Sequence, residues 1–163
     1  HIATAVMADA MGADADKLTH VPFKGGGKAR AALVGGQVDF LWQNLSGVIG
    51  AIQAGQLRAL AVTTPERFAA IKDVPTVAEV GYKDMDKIIG WSAIYGPPGL
   101  PKDVVTRWVG TIQKLKTDKS WLRMTRQLGN VVDIRSPADT KAFVAAQSKV
   151  FDEAVAKLGM TIK

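Results

Sequence analysis

The fold of this chain is decided by three stretches: His20-Val21-Pro22-Phe23-Lys24-Gly25-Gly26-Gly27, Val34-Gly35-Gly36-Gln37-Val38-Asp39-Phe40 and Gly55-Gln56-Leu57-Arg58-Ala59-Leu60-Ala61-Val62-Thr63. Each joins a short apolar run to glycine-rich turn chemistry. Turns of this kind expose backbone N–H groups at the start of a following helix, and such groups suit an anion. The sequence therefore predicts a binding pocket built from backbone donors.

The first half of the chain alternates between predicted strands and helices. Strands are predicted at 18–23, 38–42 and 57–63, and helices at 2–11, 27–34 and 45–54. Alternation at this spacing indicates right-handed crossovers between parallel strands. The run 57–63 is apolar almost throughout, which is typical of a strand buried on both faces.

The second half is mostly helical. A short helix is predicted at 76–79 and strands at 88–95 and 131–134; longer helices are predicted after Pro101, after Asp118 and from Ser136-Pro137-Ala138-Asp139 to about Leu158. Proline at the first helical position and an acid two residues later are typical helix-start signals. Two strands cannot make an independent sheet that covers three helices. The second half is therefore interpreted as one part of a larger lobe.

The composition of the chain limits the kinds of partner and protein that it can represent. The chain has 163 residues, a net charge of +6, a pI near 9.7 and no cysteine. Its positive charge is dispersed, with no basic stripe, so nucleic acid is not predicted as a partner. The chain starts at His1 within a helical pattern rather than at Met. We therefore expect a piece of a longer protein.

Catalytic and metal-binding patterns are missing from the sequence. We find no Ser-His-Asp order, no paired carboxylates in glycine-rich turns and no HExxH motif. His1 and His20 are separated by a predicted helix, a spacing that does not indicate a metal site. The sequence predicts a binding protein rather than an enzyme, with no cofactor and no metal.

Five blocks, in order, resemble the solute-binding receptors of tripartite tricarboxylate transporters, the Bug-type periplasmic proteins. They are Val21-Pro22-Phe23-Lys24-Gly25, Gly35-Gly36-Gln37-Val38-Asp39, Gly55 to Thr63, Asp73-Val74-Pro75-Thr76-Val77-Ala78-Glu79-Val80-Gly81, and Trp91 with Gly96-Pro97-Pro98-Gly99-Leu100-Pro101. The family usually has Tyr where Phe23 stands. Together the blocks extend over most of the chain.

The resemblance implies an α/β fold of the type II periplasmic binding protein, with two lobes facing each other across a cleft. Residues 1–71 would form one complete parallel-sheet lobe, the inner ligand-binding lobe. Residues 72–90 would be the interlobe crossing, and 91–163 the C-terminal portion of the outer lobe. The family's N-terminal share of that lobe, with a loop that grips one carboxylate, is absent from this sequence.

The resemblance also implies a function and a setting. The protein would be an extracytoplasmic receptor that captures a small carboxylate, such as a di- or tricarboxylate, and presents it to membrane transporter subunits. Its location would be periplasmic, with a signal peptide on the parent protein. The incomplete lobe predicts self-association or domain swapping.

The predicted ligand-binding residues fall into two turns and three single positions. Lys24, Gly25, Gly26 and Gly27 form the first turn and Gln43, Asn44 and Ser46 the second, at what would be the same carboxyl edge of the sheet, where ligands of α/β folds bind. His1, Thr63 and Trp91 complete the set. Each has a structural alternative: Ser46 as a helix cap, Thr63 as the start of the crossing, Trp91 as core or hinge packing.

Two other functions stay open on the sequence alone. The same two-lobed fold serves as the effector domain of ligand-sensing regulators. The chain could also be a structural interaction module that, lacking part of a lobe, is not competent to bind ligand. A helix-turn-helix in the parent protein would favour the regulator.

Overall fold

The structure is a computed structural model that describes residues 1–14, 17–157 and 159. It contains six α-helices in this part of the chain: α1 (Ile2–Ala10), α2 (Gly26–Val34), α3 (Ile49–Gln53), α4 (Lys102–Lys114), α5 (Lys119–Gln127) and α6 (Pro137–Lys157). Three 3₁₀ turns accompany them, at Leu45–Gly47, Ala69–Ile71 and Lys83–Lys87. The predicted helix 45–54 is thus split into a 3₁₀ turn and α3, and Leu158 lies outside the described residues.

Local capping explains where the later helices begin. The Asp118 carboxylate accepts a hydrogen bond from the Trp121 N–H at 2.8 Å and caps α5. At the start of α6 the Ser136 hydroxyl accepts from the Asp139 N–H at 3.1 Å. Both caps were predicted from the sequence, and both are confirmed. They satisfy amides that a helix leaves without partners at its first turn.

The segment 76–79 carries the side-chain pattern of a helix start but forms a turn. The Thr76 N–H donates to the Glu79 carboxylate at 2.7 Å, and the Glu79 N–H donates to the Thr76 hydroxyl at 3.2 Å. These reciprocal bonds are those of a capping box. The predicted short helix is wrong, because the chain turns away at Gly81, where φ is +93°.

Strand pairing differs most from the sequence prediction. In residues 1–14, 17–157 and 159, β pairing is limited to one isolated parallel bridge between Val62 and Thr76. The Val62 N–H donates to Pro75 O and its carbonyl accepts from Val77, both at 2.9 Å. The end of the 57–63 run therefore bonds to the 75–77 segment. The complete parallel sheet of the first lobe stays a prediction, as do the lobe bounds at 71 and 90.

The burial predicted for the 57–63 run is wrong in this chain. Leu60, at its centre, is 69% exposed. A strand buried on both faces needs a neighbouring strand on each side and a layer above and below it. The bonds of Val62 supply only one such neighbour, and only at the end of the run.

The small core is built largely from alanines. Buried apolar side chains come mainly from α1, α2, α3 and the segment 71–88: Ala5, Ala8, Ala29, Ala32, Ile49, Ala51, Ile71, Val77, Met85 and Ile88. Helix α1 packs against α6 and the Lys83–Lys87 turn. The Lys157 ammonium donates to the Asp9 carboxylate at 2.6 Å and ties α6 to α1. In the described part of the chain, no helix combines the length and the apolarity needed to cross a bilayer.

Candidate functional site

The N-terminus of α2 is the first component of the candidate site. Gly25 is its N-cap residue, with φ +100° and ψ 153°, and no side chain caps the helix. Gly26 and Gly27 form the first turn, which contains no acidic residue. The amides of this turn have no partner within the helix, and the helix dipole places partial positive charge there. This end of α2 is therefore suited to an anion.

Gln43 is the second component, and the structure brings it against α2. A Cβ on Gly26 would lie 2.5 Å from the Gln43 Nε2, and a Cβ on Gly47 would overlap the same nitrogen. The Gln43 amide therefore lies between two glycines, at a distance that a larger residue would prevent. Its Oε1 is buried and has no hydrogen-bond partner among the described residues. A buried acceptor without a partner is costly unless a ligand or water donates to it.

Arg30 fixes the geometry between these two components. Its guanidinium, on α2, donates to Gly47 O at 2.9 Å. This bond ties α2 to the Leu45–Gly47 turn that directly follows Gln43 and Asn44. The two turns predicted to share one edge, at Lys24–Gly27 and at Gln43–Ser46, are therefore adjacent. Their role in binding stays a prediction.

The remaining residues of the second turn face later parts of the chain. A Cβ on Gly90 would overlap the Asn44 Oδ1. A Cβ on Gly129 would lie 3.3 Å from the Ser46 N. Ser46 lies inside the 3₁₀ turn, whose N-cap is Asn44, so the interpretation of Ser46 as a cap is wrong. Segments 88–91 and 128–130 thus approach the site from the second half of the chain.

His1, Thr63 and Trp91 are not joined to the α2 site by the described contacts. The His1 ring stacks on His20, with 4.0 Å between centroids and 6° between planes. Thr63 follows Val62, which the 75–77 segment holds. Trp91 packs edge-on against Phe143 of α6 at 5.6 Å. Its role in binding stays a prediction, and its neighbour Gly90 touches Asn44.

A groove lies elsewhere on the molecule. It has a volume of about 530 Å³ and is lined by Phe68, Ala69, Ala70, Arg126, Gln127, Asn130, Val131 and Val132. Its lining contains none of the predicted site residues and is mainly apolar. We place the candidate site at α2 because that location gathers free amides, a positive helix end and a buried acceptor, which the groove does not.

Close approach explains which site residues sequence reasoning missed. Gly47, Gly90 and Gly129 each leave room for a side chain or turn of the site, and Arg30 braces it. Isolated glycines outside turns are a recognised signal of close approach. The sequence alone, however, does not say which residue approaches. Within residues 1–14, 17–157 and 159, no group of three acidic or histidine side chains is arranged to hold a metal ion.

Comparison with known proteins gives consistent results. The family model described as "Tripartite tricarboxylate transporter family receptor" matches residues 1–160. A protein from Agrobacterium vitis, "UPF0065 protein in the TAR-I ttuE-ttuC' intergenic region", is 32% identical over 91% of this chain and 44% of its own length. "Protein BugT" from Bordetella pertussis is 29% identical over 88% of this chain and 44% of its own length.

Solved structures share the fold of this chain. "Structure of a periplasmic transporter" superposes with a TM-score of 0.88, at 31% identity, over 96% of this chain and 51% of that one. Rpa4515 of R. palustris, solved with adipate, gives 0.84 at 26% identity over 98% and 52%. MatC from Rhodopseudomonas palustris, solved with bound malate, gives 0.70 at 27% identity over 96% and 51%. The chain thus spans about half the length of the proteins it matches.

Proposed function

The chain belongs to the tripartite tricarboxylate transporter receptor family, and from this premise we propose that it contributes the carboxylate-binding site of such a receptor. One carboxylate of the ligand binds the free amides at the N-terminus of α2, beside Gln43. The complete receptor works outside the cytoplasm, closes around its ligand and presents it to membrane transporter subunits. Capture, rather than catalysis, is the proposed activity.

One observation carries this proposal: the Gln43 amide is wedged between Gly26 and Gly47 at the uncapped, acid-free start of α2. Charge-assisted hydrogen bonds from backbone amides to a carboxylate are short and strong. The glycines let the ligand approach the backbone closely. Lys24, at the end of the preceding segment, adds a positive charge that can pair with a second carboxylate.

The ligand class is inferred from two supports. Adipate and malate, the molecules present in two similar solved structures, are both small dicarboxylates. Gln43 is a neutral amide, so it does not repel an anion as an acidic residue would. We therefore propose a small dicarboxylate, with a tricarboxylate as the next alternative.

The buried Gln43 Oε1 refines this class. An acceptor without a partner is satisfied by a ligand that carries a donor near its carboxylate, such as the hydroxyl of a 2-hydroxy acid. Satisfying that atom recovers part of the cost of burying it. We expect malate to bind more tightly than succinate, which has the same chain length and no hydroxyl.

The test is a titration followed by the backbone amides themselves. Malate, succinate, adipate and the uncharged diamide of succinate are added to the ¹⁵N-labelled chain, and two-dimensional NMR follows every amide. We expect malate to shift the amides of residues 25–28 and the Gln43 side chain first, succinate to do so more weakly, and the diamide to leave them unchanged. Shifts confined to the groove at 126–132, or none with any carboxylate, would overturn the proposal.

The structural interaction module remains a second candidate because α4 and α5 contain no buried residue. Under that function the chain would bind a polypeptide and no carboxylate. Self-association through the incomplete lobe also stays a prediction. The malate titration above separates these functions, since a receptor site binds malate and an interaction module binds only its partner polypeptide; light scattering of the chain alone measures its self-association.

A further inference from the structure

The side chain of Asn44 is exposed and takes no part in closing its own turn. Asn44 is the N-cap residue of the 3₁₀ turn Leu45–Gly47, yet its side chain makes no capping hydrogen bond. The backbone closes the turn instead, because the Gly47 N–H donates to Asn44 O at 2.9 Å. A carboxamide carries two N–H donors and one acceptor oxygen. The turn therefore leaves these groups available directly beside Gln43.

Gly90 lies against the oxygen end of this amide. A Cβ on Gly90 would overlap the Asn44 Oδ1 but would lie 3.1 Å from the Asn44 Nδ2. The acceptor oxygen is thus the atom nearest Gly90, and the NH₂ group lies farther from it. Backbone contact at the oxygen leaves the two N–H donors for another partner. Donors of this kind form hydrogen bonds with a carboxylate, and the charge of the carboxylate strengthens them.

The backbone around Gly90 is anchored on both sides. Two residues earlier, Ile88 is part of the core and is only 5% exposed. Directly after Gly90, the Trp91 ring packs edge-on against the Phe143 ring of α6, with 5.6 Å between centroids and 76° between planes. The core and α6 together therefore determine where Gly90 lies.

The Phe143 ring is itself held in place. The Arg135 guanidinium lies 3.9 Å from the centre of this ring, within the range of a cation–π contact. Arg135 also donates to the Asp133 carboxylate at 2.8 Å, and its carbonyl accepts from the Gln113 side chain of α4 at 3.3 Å. The ring against which Trp91 packs is therefore fixed by contacts from α4 and from the segment that precedes α6.

We propose that Gly90 is a positioning residue for the Asn44 amide, and that the contact between Trp91 and Phe143 keeps Gly90 in that place. The inference rests on the proposed function in one step, in which the positioned amide donates to a carboxylate of the ligand. An exposed side chain loses rotamer freedom when it binds a ligand, and orienting it beforehand reduces that cost. Gly90 thus strengthens binding without contacting the ligand.

Gly90→Ala tests this role. Gly90 is not among the glycines with positive φ, so its backbone conformation accepts alanine. The new Cβ would overlap the far end of an exposed side chain, so Asn44 rotates away and the stability of the chain in urea should change little. We expect the side-chain N–H signals of Asn44 to shift in two-dimensional NMR of the ligand-free, ¹⁵N-labelled chain. Malate binding should weaken by about 10-fold, the effect of losing one hydrogen bond to a charged group.

A double-mutant cycle shows whether the effect passes through Asn44. In an Asn44→Gly background the overlapped side chain is gone, so Gly90→Ala should weaken malate binding no further. Phe143→Leu, which removes the ring next to Trp91, should weaken binding in the native background by a smaller factor. Phe143→Tyr retains the ring and should restore native affinity.

Gly50→Ala is the matched control. Gly50 lies in α3, its φ is not positive, and no atom lies within 4 Å of the position that a Cβ would take. This variant should leave the Asn44 signals and the malate affinity unchanged. Equal weakening by Gly50→Ala, or an equal effect of Gly90→Ala with and without the Asn44 side chain, would overturn the proposal.

The failure of this inference and that of the proposed function are distinguishable. If the native chain and Gly90→Ala bind malate equally well, the positioning role is refuted and the receptor function stands. If the native chain binds no carboxylate, the proposed function is refuted. The positioning role then depends on the ligand-free spectra, and unchanged Asn44 signals in Gly90→Ala would refute it too.

Discussion

The α2 site and the apolar surface of α4 and α5 show opposite balances of polar and apolar groups. That surface consists of the exposed Val105 and Trp108 on α4, Met124 on α5 and Leu128 just after it. At α2, glycines and an amide side chain approach each other closely, and Arg30 holds the neighbouring turn. On α4 and α5, large apolar side chains are left partly exposed, Trp108 by 57%. The difference shows that the α2 site forms from contacts within residues 25–47, whereas the apolar faces of α4 and α5 lack a layer that buries them.

The largest expected effect tests the α2 side of this comparison. Gln43→Glu places a carboxylate between Gly26 and Gly47, where the proposed anion binds. Repulsion of like charges should weaken malate binding by about 100-fold, which corresponds to about 2.7 kcal/mol. Calorimetric titration of the assembled receptor measures it. Gln37→Glu, the same change beyond the opposite end of α2, is the control, and equal weakening there would show a long-range charge effect instead of a site.

Two glycine substitutions distinguish the effect of backbone conformation on stability from the effect of the space around the residue. Gly25 has φ +100° and ψ 153°, a region that essentially only glycine adopts, so Gly25→Ala should destabilise the chain by about 1–3 kcal/mol. Gly27 lies in the helix, and no atom lies within 4 Å of the position that a Cβ on this residue would take. Gly27→Ala should therefore stabilise α2 by about 0.5–1 kcal/mol. Urea denaturation compares them; destabilisation by both would mean that the helix start is held by a contact rather than by backbone conformation.

A cap substitution tests how far α5 depends on local signals. Because α5 buries no residue, its stability in the isolated chain rests heavily on the Asp118 cap. Asp118→Ala should cost about 1 kcal/mol of helix stability, and Asp118→Asn should retain most of it. Hydrogen exchange at the Trp121 amide reports the loss. In an assembled receptor that buries the apolar surface, Asp118→Ala should reduce the protection of the Trp121 amide by a smaller factor. An equal loss of protection there would contradict the inference that α5 depends on its cap because its apolar face is exposed.

The smallest expected effect is a loss of local stability around Glu79 at acidic pH. The Arg67 side chain donates to the Glu79 carboxylate at 2.9 and 3.0 Å. This hydrogen bond, followed by the one from the Thr76 N–H, lowers the pKa of Glu79. A lowered pKa in the folded state gives stability that is present above the ordinary glutamate pKa and is lost as pH falls toward the folded value. The turn at 76–79 should loosen in that acidic window.

Hydrogen exchange at the Thr76 amide, followed from neutral to acidic pH, checks this expectation. Protection should fall with pH in the native chain and be nearly independent of pH in Glu79→Gln, because the neutral amide oxygen accepts the Thr76 N–H without titrating. The Ala146 amide within α6, far along the chain from Glu79, serves as the internal control. A parallel loss of protection at Ala146 would indicate general acid unfolding and would contradict a local switch at Glu79.

The helices were predictable because their signals are local. Asp118 and Ser136 form caps within three residues of themselves, and Gly12 and Gly55 have positive φ just beyond the ends of α1 and α3, as helix-stopping glycines do. The two predicted turns lie next to each other through the bond from Arg30 to Gly47 O, whereas the sheet edge that led us to expect this stays a prediction. The inferences about the helices need no knowledge of distant contacts.

The strands and the fine structure of the site could not be predicted in this way. A strand is formed only when another backbone lies in register beside it, and the Val62 groups bond to the 75–77 segment instead of to a neighbouring predicted strand. In the same way, the sequence around Asn44 does not predict that Gly90 lies against its side-chain amide. The sequence around His1 does not predict that its ring stacks on His20. These contacts join residues 13 to 46 positions apart.

The sequence by itself determined the family, the caps of α5 and α6 and the chemistry of the α2 turn, because glycines, caps and apolar spacing act over a few residues. Only the tertiary structure decided that Gln43 lies between Gly26 and Gly47 with an unsatisfied oxygen, and that α4 and α5 keep an apolar surface open. Burial and strand pairing are properties of two surfaces in contact. They stabilise the fold only when the second surface removes the first from water, and a short stretch of sequence does not specify that second surface.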